Sequence, residues 1–319
     1  MRKHAIVWCM TIIMGLLLIG CGSAEAPEET LKIEEQFNEN SVTFVDDLGR
    51  TVTVSNPQRV ATLISSFADI WSLAGGVEDI VATTNATWTY FDLPLNEDVV
   101  NLGATKELNI EQLIACEPDF VLASAGTDRN IEMEASFEQI GLNVAYFKVD
   151  NFEDYLRVLK ICTDITGCEE NYKKYGIEVQ EQVEHALERV DGIAPKVLYI
   201  RATGSSCKVK NSQDSVLGEM LKAMGCVNIA DVEDSLLEQL SMEVIIEEDP
   251  DYIFVILQSA NPNDAEEILE TTLLNNAAWS TLSAVKNDRY YVMDSNLYNL
   301  KPNARWGEAY EKLAEILYP

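Results

Sequence analysis

The sequence predicts an α/β protein of two related lobes, each built on a parallel sheet, joined through a long helix and facing each other across a ligand cleft. Three observations carry this reading. Short apolar runs without polar alternation are separated by helical patterns along most of the 319 residues, the signature of strands covered on both faces. The stretch LNIEQLIACEPDFVLAS (Leu108–Ser124) reappears as LSMEVIIEEDPDYIFVI (Leu240–Ile256), with Glu111 and Glu243, Pro118-Asp119 and Pro250-Asp251 all offset by 132 positions. Between the copies lies NFEDYLRVLKICTDITG, apolar at helical spacing.

The elements follow in order. Arg2, Lys3 and His4 precede the apolar stretch AIVWCMTIIMGLLLI, so residues 1–20 read as an export signal. Leu18-Ile19-Gly20-Cys21 resembles the bacterial lipobox, which implies a lipid-modified Cys21 and an anchor on the outer face of a membrane. Residues 21–40, acidic and poor in aromatics, read as a tether. Residues 41–150 form the first lobe. It opens with TFVDDLGRTVTV as a hairpin, followed by strands at Val60–Ile64, Ile80–Thr84, Phe120–Ala123 and Val144–Phe147. Residues 151–190 hold the joining helix, with Phe152, Tyr155, Leu156, Leu159 and Ile165 on one face and Gly167 as its stop, then a second helix over about 169–190. Residues 191–319 form the second lobe, with strands at Val197–Ile200, Tyr252–Leu257 and Tyr290–Met293. A helical spine permits only small movements of one lobe against the other.

Composition narrows the function classes. The net charge is −30, and loss of residues 1–20 removes two basic and no acidic residues, taking it to −32. Such a surface repels nucleic acid, and an anionic ligand has to be met by locally placed cations. Five cysteines follow Cys21, none in a CxxC pair, and His185 is the one histidine beyond the signal, so no metal site is expected. Cys116 reads as core; Cys207 and Cys226 could bridge, though nothing in their spacing demands it. No GxSxG, P-loop, HExxH or strand-linked GxGxxG is present, and no intrinsic cofactor or catalytic residue is expected.

In open parallel sheets a ligand sits beyond the carboxyl ends of the strands. The loops there are polar and aromatic: TTNATWTYFD, SAGTDR, RATGSSCKVKNSQD, QSANPND and DSNLYNLKPNAR. They nominate Ser66, Trp88, Tyr90, Ser124, Arg129, Arg201, Lys208, Gln258 and Tyr298 as cleft residues, with solvated loop positions as the plain alternative for each.

DDLGRTVTV followed by PQRVATLISSFADIWSLAGG, the two repeat copies, and the ending WSTLSAVKNDRYYVMDSN…KPNARWGEAYEKLAEILYP together resemble the substrate-binding lipoproteins of ABC importers for ferric siderophores, haem and vitamin B12. The resemblance covers about residues 41–319. It implies two Rossmann-like lobes joined by a backbone helix, no enzymatic activity, a monomer on the extracytoplasmic face, and delivery of a small iron complex to the permease. In that family a glutamate on each lobe pairs with arginines of the transmembrane subunits, and Glu111 and Glu243 match those positions. Their chemistry alone fits helix stabilisation equally well, since Asn109 and Ser241 are natural N-caps that put each glutamate in a first turn. The family's B12 binders carry bulky aromatics where this chain has Thr105 and Ser124, which argues against B12. Haem would need an axial ligand, for which Tyr90 and Tyr298 are the candidates. A ferric siderophore needs only shape, aromatic contact and cations, which Arg129, Arg201, Lys208 and Arg305 could supply. Arg305 equally suits a structural role at a helix start. A ferric siderophore is therefore the expected ligand, with haem or another tetrapyrrole as the alternative in the same class. A surface enzyme acting on a chelate and a sensor ectodomain stand further off.

Overall fold

One carboxylate closes the first element of the body. Strands β1 (Ser41–Val45) and β2 (Thr51–Ser55) pair antiparallel around Gly49, whose φ of +79° lies in the left-handed region that glycine adopts most readily. The buried Asp46 side chain accepts from the backbone N–H groups of Leu48, Arg50 and Tyr146, and Arg50 pairs with it at 2.6 Å. Burial alone would raise the Asp46 pKa; the bonds from Arg50 and Tyr146 hold it below the usual carboxylate range. Asp47 next to it accepts from the Lys148 N–H and from Arg157. The hairpin is thereby stitched to residues 146–157.

The computed structural model describes residues 41–213, 215–259 and 261–319; the signal, Cys21 and the tether lie outside them. The first lobe's sheet has the order β5-β4-β3-β6-β7, all parallel, with β3 (Val60–Thr62), β4 (Ile80–Thr83), β5 (Val100–Asn101), β6 (Phe120–Ser124) and β7 (Val144–Phe147). The second lobe's sheet contains β8 (Lys196–Thr203), β9 (Cys207–Lys210), β10 (Val227–Asn228), β11 (Tyr252–Gln258) and β12 (Tyr290–Met293). Its parallel order is β10-β8-β11-β12, so four strands follow the same order as β4-β3-β6-β7. Strand β9 pairs antiparallel with β8, and the segment RATGSSCKVK, expected as a loop, is a hairpin. Its signal was present: Val209 is buried between exposed or half-buried neighbours, the period of two that a strand requires.

Helices α1 (Ser65–Leu73), α2 (Ile110–Ala115), α3 (Phe152–Thr166), α4 (Glu178–Leu187), α5 (Val216–Ala223), α6 (Met242–Glu248) and α7 (Trp306–Leu317) are the ones that position the site. In α2 and α6 the duplicated segment folds alike. Asn109 and Ser241 accept from the N–H groups of Gln112 and Val244, three places on. Leu113 and Ile245 are fully buried. Each helix exits through a left-handed residue, Glu117 (φ +45°) and Asp249 (φ +40°). The Pro-Asp aspartates then fasten the sheet: Asp119 accepts from the N–H groups of Gln58 and Arg59 before β3, and Asp251 from that of Lys196 at the start of β8. Arg59 and Lys196 return the favour by donating to the last carbonyls of α2 and α6.

The spine is shorter than one continuous helix. Helix α3 stops at Gly167 (φ +71°), and the following stretch is α-helical only over 169–172 and 178–187, with a π-turn at Lys173–Ile177 between them. Gly176 lies in that turn, where a Cβ would come within 3.1 Å of the Tyr172 ring. One hydrophobic cluster runs through both sheets, α3, α4 and α7, with Phe152 and Trp306 edge to face at 6.0 Å. Each lobe has a further cluster on its opposite face. All five described cysteines are free thiols: Cys116 is core in lobe one, Cys226 belongs to the shared cluster, and Cys207 packs on lobe two's own.

Candidate ligand-binding site

The chain leaves β3 in one direction to β4 and in the other to β6; in the second lobe β8 is flanked in the same way by β10 and β11. At such switch points the loops beyond the strands part and leave a crevice. A cavity of about 380 Å³ opens there, lined from lobe one by Ser65, Ser66 and Ser124 and from lobe two by Arg201, Ser215 and Gln258. Ser65 and Ser66 open helix α1, and Ser215 precedes α5, so both helices start at the cavity. The Ser124 N–H donates to the fully buried Asn130 side chain, which fixes the end of β6.

The charges of the two walls differ. Arg201, half-buried near the end of β8, donates to the Tyr199 hydroxyl at 3.1 Å. Its Nε is buried without a hydrogen-bond partner, and no carboxylate pairs with it among the described residues. On the other wall Asp150 holds two lysines, Lys148 at 2.9 Å and Lys301 at 3.2 Å. Burial pushes the Asp150 pKa up, but Lys301 and Lys148 outweigh it and keep the group below its ordinary range. Burial lowers that of Lys301 against the pull of Asp150.

The segment after β12 crosses to lobe one. Buried Asn303, left-handed at φ +54°, donates to the Ser66 carbonyl at 3.0 Å and to the Asp69 carboxylate at 2.7 Å. Burial raises the Asp69 pKa to about 6, with the Asn303 bond opposing it. Sequence reasoning missed Lys148, Asp150, Lys301 and Asn303. The Lys301–Asp150 pair spans 151 positions, and no local pattern announces such a contact.

Of the residues nominated from sequence, Ser66, Ser124, Arg201 and Gln258 line the cavity. Tyr90 and Arg305 line a neighbouring cavity of about 200 Å³ that shares Leu300 and Lys301 with the first, and Arg305 is paired with Glu308 at 2.7 Å. The others stand outside both. Trp88 is 47 % exposed. Arg129 is half-buried and pairs with Glu132 at 3.5 Å. Lys208 sits opposite Arg201 in the ladder but is exposed. Tyr298 is buried, donating its hydroxyl to the Ala309 carbonyl. Glu111 and Glu243 are exposed in the first turns of α2 and α6, with no ion-pair partner among the described residues.

Residues 60–297 match the family described as periplasmic binding protein. Over its full length the chain is 22 % identical to 98 % of the uncharacterized ABC transporter substrate-binding lipoprotein YvrC of Bacillus subtilis. The fold is shared with Staphylococcus aureus IsdE complexed with heme (TM-score 0.67, 19 % identity, 82 % of this chain and 99 % of that one). It is shared too with S. aureus SirA complexed with staphyloferrin B (TM-score 0.63, 19 % identity, 87 % and 97 %). With three quarters of its length matched and its two lobes in the same arrangement, this chain belongs to the periplasmic binding protein family.

Proposed function

We propose that the chain is the substrate-binding lipoprotein of an ABC importer, anchored through Cys21 on the extracytoplasmic face, and that it captures an anionic ferric siderophore between its lobes for delivery to the permease. One observation supports the ligand choice above the others. The cavity at the switch points is lined by hydroxyls, two amides, three cations, the lysine-paired Asp150 and apolar side chains, with no histidine, tyrosine, methionine or cysteine among its described lining residues. A wall of that kind offers a haem iron no axial ligand of the usual sort but suits a metal already wrapped in its own chelator. Arg201 lines the cavity with no carboxylate partner among the described residues and supplies a charged donor for an anionic oxygen. Ser66, Ser124 and Gln258 supply further hydrogen bonds. Closure around the spine is small, because one core runs through both lobes. The candidate permease contacts are Glu111 and Glu243.

A tryptophan-quenching titration of the full chain against a ferric tricarboxylate, a ferric catecholate, a ferric hydroxamate, haemin and cyanocobalamin tests this. Saturation by an anionic ferric chelate at sub-micromolar concentration is the expected result. Saturation by haemin alone would transfer the assignment to tetrapyrroles.

A further inference from the structure

The duplicated helices carry a second matched feature besides their glutamates. Two places after each glutamate comes an apolar pair, Leu113-Ile114 and Ile245-Ile246. The first member is fully buried, but the second stands in solvent: Ile114 is 45 % exposed and Ile246 40 %. A single exposed isoleucine is ordinary. Two at the same repeat position, neither packed against any of the three core clusters, are not accounted for by the folding of either lobe.

Glu111 and Ile114 lie three residues apart on α2, as do Glu243 and Ile246 on α6, so each pair shares a helix face. A carboxylate meeting a cation in water contributes little, because both groups stay hydrated. An apolar side chain one turn away, buried in the same contact, excludes that water and supplies the desolvated centre that effective interfaces possess. We propose that Ile114 and Ile246 are apolar anchors of the docking face. The partner they fit is a two-fold symmetric membrane assembly that presents, on each half, a cation beside an apolar recess. Like surfaces on both lobes meet like sockets when the partner is itself a pair of equivalent subunits. The proposal rests on the docking reading of the two glutamates.

The full chain in its host cells, carrying a photo-crosslinking amino acid at exposed Ala115 or at its repeat equivalent Glu247, tests it. Both positions should form an adduct with one and the same polytopic membrane subunit, identified by mass spectrometry, while the crosslinker at exposed Val292 in β12 forms none. Ile114→Asn combined with Ile246→Asn should lower the adduct yield about tenfold, roughly threefold per site, and valine at both positions should keep it. Unchanged yield in the asparagine pair, alongside yield lost in Glu111→Arg with Glu243→Arg, would overturn the anchors and leave the glutamate docking standing. Adducts with two different membrane subunits would overturn the symmetry of the partner. No membrane adduct at either position would overturn the docking reading as well.

Discussion

The two lobes agree at one end of their sheets and disagree at the other. At the amino ends of the central strands, Arg59 and Lys196 cap the carbonyls of α2 and α6, Asp119 and Asp251 hold the strand starts, and Glu117 and Asp249 make the same left-handed exit. At the carboxyl ends the likeness disappears. Lobe one presents hydroxyls and a carboxylate already committed to two lysines; lobe two presents a guanidinium with no carboxylate partner among the described residues. An end kept in duplicate suits something met in duplicate. An end that has diverged suits a single, asymmetric ligand touched differently by each wall.

The comparison is broken most forcefully at the core the lobes share. Trp306 is fully buried in the cluster that joins them, so Trp306→Ala should cost about 3–5 kcal/mol. In urea melts, probes placed in the two lobes should still report one coincident transition; two separated transitions would show that the lobes fold independently.

Next is Asp69, where the crossing segment meets lobe one. Between about pH 4 and 6 the folded chain keeps a proton that the unfolded chain has lost, so stability falls as pH rises through that window. Above it the buried charge is a standing cost. Asp69→Asn keeps an acceptor for Asn303 and should stabilise by roughly 1–3 kcal/mol at pH 7 and by little below pH 4. Thermal melts at the two pH values check the sign.

The matched caps give smaller, graded effects. Arg59 donates to two carbonyls, whereas Lys196 reaches a single one at 3.3 Å. Arg59→Ala should cost about 1–2 kcal/mol and Lys196→Ala about half that. Smallest are the N-caps: Asn109 bonds at 3.1 Å and Ser241 at 3.5 Å, so alanine should cost about 1 kcal/mol at the first and about 0.5 kcal/mol at the second. Equal losses in both pairs would mean that the repeat is energetically symmetric despite its geometry.

Much of the fold was legible because parallel strands buried on both faces leave continuous apolar runs; Val144–Phe147 and Tyr290–Met293 begin and end where the sequence places them. Strand β9 was hidden by Gly204-Ser205-Ser206, which reads as loop until the alternation after it is weighed. The π-turn at Lys173–Ile177 has no periodic signature in a pattern that is otherwise helical. The candidate site was legible at strand ends and just beyond them, where topology alone directs a residue to the cleft, as for Ser66, Ser124, Arg201 and Gln258. Lys301 was not among the nominated cations, whereas Arg305 four places on was. Arg305 finds its carboxylate within its own helix turn, at Glu308, while the Lys301 partner lies in the other lobe.

The most direct test of the asymmetric cleft is the affinity of Arg201→Gln beside wild type, by tryptophan quenching of the full chain with a trianionic ferric tricarboxylate and with a neutral ferric trihydroxamate. Losing a charge-assisted pair in a part-buried site should weaken the anionic chelate about tenfold to a hundredfold, with the neutral one bound poorly by both proteins. Equal affinity of the two proteins for the anionic chelate would contradict the account.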